Sequence, residues 1–162
     1  MAKKSGGSLM KVILDIITIV LGGLVFAFLA LPFHSSSIGE HTIGSVSGYD
    51  YIDFGDLAPK GCAIVLLLLL IFAGIMILGA VMKLLCDINV VKSSGFAKFA
   101  NFMTIIGGLM VAVLSIVNII TVSVYLSDTL GGVFDTGWAA LIIIAIVGVA
   151  SLATSALTVR KK

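Results

Sequence analysis

The stretch GCAIVLLLLLIFAGIMILGAVM, residues 61–82, decides the fold class. It holds no charged side chain, and its length matches the about 20 apolar residues that a membrane-spanning helix needs. Three further stretches are also free of charge: Ile16–Phe33, Phe99–Ser127 and Thr136–Val159. Inside a bilayer the backbone must satisfy its own hydrogen bonds, so helices are expected. The apolar runs are continuous rather than alternating, which argues against a barrel. The chain reads as an all-α membrane protein, an up-down bundle of four transmembrane helices. It forms one domain over 1–162, with spans at about 10–32, 62–85, 99–126 and 138–159 and an external loop at 34–60.

Composition points the same way. Of 162 residues, 60% are hydrophobic and 11% are charged, with a mean hydropathy of +1.26. Soluble domains carry about 25% charged residues. A soluble domain this small cannot hide so much apolar surface. A soluble enzyme, a disordered tail, a nucleic-acid-binding domain and a disulfide scaffold are all excluded. Cys62 opens the second span and Cys86 closes it. Helical rise sets them about 36 Å apart, far beyond disulfide reach.

The sparse charges give an orientation. Lys3, Lys4 and Lys11 precede the first span, and Lys83, Lys92 and Lys98 lie between the second and third. Arg160, Lys161 and Lys162 follow the fourth, and Lys60 alone lies on the other side. The positive-inside rule then places both termini in the cytoplasm, with the cell membrane as the expected location. Lys3-Lys4 before an apolar run resembles a signal peptide. The run from Val12 to Phe33 exceeds an h-region of about 7–15 residues, so an uncleaved first helix is expected.

Two segments resemble each other. Gly22-Gly23-Leu24-Val25-Phe26-Ala27-Phe28-Leu29-Ala30 matches Gly107-Gly108-Leu109-Met110-Val111-Ala112-Val113-Leu114-Ser115 at five of nine positions. Duplication would make the bundle two parallel repeated hairpins; chance likeness in an apolar alphabet is the other reading. Gly23 and Ala27 are four apart, as are Gly108 and Ala112. Such small-xxx-small pairs let helix backbones approach closely in lipid. Ala30 and Ser115 extend these stripes, and Gly148, Ser151 and Ser155 build another. The bland use is packing within the bundle, which four helices already require. The sharper use is contact with another copy or subunit. The second span, bulky at Leu66–Leu70, is expected to face lipid more.

Intramembrane polar residues mark transport sites, and few occur here. Asp15 sits near the inner surface, with Lys11, Lys83 or Lys98 as its expected partner in an interfacial pair. Asn118 is the deepest amide and is expected to make an interhelical hydrogen bond or touch a solute.

The external loop carries Tyr49, Asp50, Tyr51, Asp53, Phe54 and Asp56, acids at a spacing of three among aromatics. Headgroup contact or a partner protein suits it better than calcium, because the Asp-x-Asp-x-Asp-Gly pattern is absent. His34, Glu40 and His41 lack a fourth ligand for zinc. Trp138, Tyr125 and Phe33 fit an outer aromatic belt. Asp135 or Thr136 is the expected N-cap of the fourth helix. The sequence has no His-Glu-x-x-His, Gly-x-Ser-x-Gly or Walker loop.

Together these features lead to a non-enzymatic integral membrane protein, self-associating or an accessory subunit of a membrane complex. It needs no cofactor and no nucleic acid; its partners are lipid, further copies or other membrane proteins. The alternative is a small oligomeric transporter or channel for a neutral or apolar solute.

Overall fold

A computed structural model describes residues 5–38, 41–53, 60–130 and 134–159. In chain order the elements are α1 (Ser5–Phe28), β1 (Pro32–Ile38), β2 (His41–Ser47) and α2 (Gly48–Asp53). They continue with α3 (Lys60–Asp87), α4 (Ser94–Leu130), β3 (Phe134–Thr136) and α5 (Trp138–Val159). Four helices are long and apolar enough to cross a membrane, over Leu9–Phe28, Gly61–Asp87, Ser94–Tyr125 and Trp138–Thr158. They pack around a ring in which α3 touches α1 and α4, and α5 touches α1 and α4.

Local chemistry sets the helix ends. α1 stops at Phe28, short of the expected 32. Ala30 and Leu31 donate to Ala27 and Phe28 in a tightened last turn. Pro32 then disfavours helix at the residue before it and opens a strand. α3 ends in a Schellman turn: Asn89 adopts a φ of 64°, and the Val90 N–H bonds the Leu85 carbonyl at 3.0 Å. Ser93 caps α4, its hydroxyl accepting from the Phe96 N–H at 3.4 Å. At 37 residues α4 spans about 55 Å, well beyond the about 30 Å hydrocarbon core.

One expectation of the sequence fails here. The described residues are not all helical, because the segment between α1 and α2 and a short strand before α5 form a three-stranded antiparallel sheet of order β2-β1-β3. β1 pairs β2 from Pro32↔Ser47 to Ile38↔His41, with irregular register after Pro32 and after Ser36. β3 pairs the other edge, His34↔Thr136 through Ser36↔Phe134. Asp135 and Thr136 therefore belong to a strand, and α5 starts only at Trp138. The sheet touches α2 through β2, α4 through β3 and α5 through β1, and α2 in turn packs on α3.

The second span is less covered than α4 and α5, in line with the expectation for it, 33% of its most apolar window being buried against 44% and 39%, yet one face packs inward. In α3, Leu66, Leu69, Ala73, Met76 and Ala80 are all fully buried. The least covered span is α1, with 22% of its residues buried against 33% in α3.

Candidate functional site

The interior is built on glycines that admit a neighbouring backbone. A Cβ on Gly107 would lie 2.7 Å from the Met76 N and Cα. One on Gly22 would lie 2.5 Å from Ile77 Cγ1. One on Gly79, which the sequence reading passed over, would lie 2.7 Å from the Thr104 N. Gly108 fits against Ser155 at 2.6 Å, and Gly148 is closed by Ser115. Ala112, Ser151 and Ser155 are buried in the same α4–α5 seam. Their hydroxyls are satisfied locally: Ser151 donates to Val147 O, Ser155 to Ser151 O and Ser115 to Ala112 O, at 2.7, 2.7 and 2.9 Å.

Gly23 and Ala27 do not join this interior. Both are exposed, as is Ala30, and a Cβ on Gly23 would meet nothing within 4 Å. Adjacent residues on a helix point about 100° apart, so only Gly22 of that pair can face α3. The first glycines of the two similar segments both face α3, Gly107 against the Met76 backbone and Gly22 against the side chains of Ile77 and Met76. The segments part at the second.

Two polar features lie within the apolar interior. Asp15 is fully buried, and its Oδ1 stands 3.1 Å from the ammonium of Lys83, itself 8% exposed. This places the pair in the packing between α1 and α3, toward the start of one apolar stretch and the end of the other. The geometry is a charge contact, not an aligned hydrogen bond. Thr18, three residues after Asp15, and Thr104 on α4 are also buried, each donating to its own helix at Leu14 O and Ala100 O. Asn118 is fully buried with no hydrogen-bond partner on Nδ2 or Oδ1.

The external residues divide. Ser47 and Asp50 form a capping box at α2: the Asp50 carboxylate accepts from the Ser47 N–H at 2.7 Å and the Ser47 hydroxyl at 2.8 Å. The Asp50 N–H approaches the Ser47 hydroxyl at 3.3 Å in return. The backbone N–H first, and then the hydroxyl, hold the Asp50 carboxyl below its ordinary range. Tyr51 is 2% exposed, its ring 6.1 Å from Phe33 and 6.2 Å, edge-on, from Tyr125. Burial pushes its phenol upward. Tyr51 is thus no partner contact, and Phe33, also fully buried, is no belt residue. Tyr49 is exposed, and its hydroxyl donates to the Phe26 carbonyl at 2.7 Å. Trp138 is half exposed, as an aromatic belt requires.

Asp53 is placed only as the last residue of α2, and Phe54, Asp56 and Glu40 lie outside the described residues. Among the described residues no three His, Cys, Asp or Glu side chains gather as a metal site. No family model, curated protein or solved structure matches this chain.

Proposed function

We propose that this chain is a non-enzymatic integral membrane protein that acts as a scaffold, associating with itself or with another membrane protein. In this reading the helices cross the bilayer up and down, both ends of the sequence face the cytoplasm, and the sheet lies outside. The observation that carries it is the closeness of the seams. Gly107 against the Met76 backbone, Gly79 against Thr104 and Gly148 against Ser115 hold α3 to α4 and α4 to α5 at close range. Such packing suits a rigid body that presents surfaces. The exposed apolar side chains supply those surfaces, among them Ile16, Val20, Ile120 and Ile146.

Purification in mild detergent, with mass measurement and identification of bound proteins, tests this. A defined oligomer or a stoichiometric partner, with no solute flux in liposomes, is the expected result. An oligomer that conducts a neutral or apolar solute would overturn it in favour of a transporter or channel. Asn118 favours that second reading, since a buried amide without a partner is what a solute contact looks like before the solute binds. Orientation has its own test. External maleimide should label a cysteine at Ser45 and not one at Ser94, both exposed positions; the reverse pattern would invert the topology.

A further inference from the structure

α1 carries Lys11 and Asp15, four residues apart, and α3 carries Lys83 and Asp87 at the same spacing. Lys83 meets Asp15 at 3.1 Å. Seven residues along α1 from Asp15, Gly22 meets the side chains of Ile77 and Met76, six and seven residues back along α3 from Lys83. Both contacts belong to one antiparallel alignment. In it Lys11 falls level with Asp87; both lie near Lys83, and Asp87 lies beside Asp15 as well, so Lys83 sits between two carboxylates.

Lys-x-x-x-Asp is its own complement when two helices run antiparallel. A slip of one turn breaks the match in either direction. One slip sets Lys83 level with Lys11 and Asp15 level with Gly79. The other sets Asp15 level with Asp87 and Lys83 level with Ile19. Each outcome parts Lys83 from Asp15 and strands one of them among apolar groups, which a low-dielectric interior punishes. Asp87 also ends α3, where a carboxylate opposes the helix dipole. Local helix energetics give it no reason to be there, and the alignment with Lys11 does.

We propose that these four residues form a register key that admits a single alignment of α1 on α3. Its contribution is to alignment more than to stability, since buried ion pairs can often be replaced by apolar side chains at little cost. The proposal does not depend on the scaffold reading.

Disulfide trapping in membranes tests it, in full-length chain with Cys62→Ala and Cys86→Ser. Val25→Cys is combined in turn with Ala73→Cys, its level partner, and with Leu69→Cys or Ile77→Cys, one turn away. With the four charges intact, only the Ala73 position should cross-link. With Asp15→Leu and Lys83→Leu together, the chain should still accumulate in the membrane. Cross-linking at position 69 or 77 should then rise at least tenfold. Reversing the quartet, with Lys11→Asp, Asp15→Lys, Lys83→Asp and Asp87→Lys, should return cross-linking to position 73 alone. The proposal is overturned if the double-leucine chain stays at position 73. It is equally overturned if that chain no longer accumulates, because the charges would then hold the fold and not its alignment. Mixed cross-linking in the reversed quartet would overturn it as well.

Discussion

Gly107 and Met76 approach so closely that α4 and α3 touch backbone to backbone, with no side chain on Gly107 between them. The neighbouring Gly22 uses the same methionine from α1. Met76 is fully buried between the two.

Glycines of one motif should therefore respond with opposite sign. Gly107→Ala adds a methyl where the Met76 backbone leaves no room, and overpacking costs about 1–3 kcal/mol. Gly23→Ala adds one in open space and gains helix propensity, about 0.8–1 kcal/mol in a helix interior. Thermal unfolding in detergent should place the Gly107 variant below the parent chain and the Gly23 variant at or above it.

Removing one member of the buried ion pair should be far worse than removing both. Lys83→Met strands the Asp15 carboxylate in the packing, and uncompensated buried charges cost about 3–5 kcal/mol. The expected outcome is strong loss of folded protein from the membrane fraction, with Asp15→Leu restoring most of it. Equal loss in the single and double variants would refute the pairing.

The α2 cap should weaken on acidification. Hydrogen bonds from Ser47 lower the Asp50 carboxyl from its ordinary 3.8. A carboxyl lowered on folding contributes stability above its unfolded value and loses it as pH falls through the folded one. Amide exchange across Gly48–Asp53 should quicken below about pH 4 relative to the spans. Asp50→Asn should remove most of that pH dependence, because the side chain no longer titrates.

Asn118→Leu separates the two functional readings. In a scaffold, the change removes a buried amide that has no partner, whose desolvation costs about 1–3 kcal/mol. The melting temperature should hold or rise and association should be unaffected. If Asn118 contacts a solute, liposome flux falls instead while the fold persists.

The four spans were legible because lipid imposes one simple demand, a long stretch without charge. α5, at Trp138–Val159, lies where that demand puts it. The sheet was not legible. PFHSSSI in β1 lacks a clean alternation, and its third strand comes from a segment almost 100 residues later, beyond the reach of local periodicity. Gly22 and Gly23 show a second limit. The sequence marked both as able to admit a neighbour, but only the rotation of α1 about its axis decides which does. Lys83 was one of three candidates for Asp15, and no local pattern on α1 alone singles it out.

Between β1 and α5, the Gly137 N–H bonds the Phe33 carbonyl at 2.6 Å, and the Pro32 carbonyl closes over the same glycine. This stitch joins an early part of the chain to a late one. During synthesis α1, α3 and α4 emerge first, yet the edge of β1 opposite β2 finds its mate only after residue 134 has been made. Until then the outer end of α1 is bound on one side only. The ring of helices is thus sealed last at its sheet, and a chain cut short before β3 would reach the membrane with an open strand edge exposed to its neighbours.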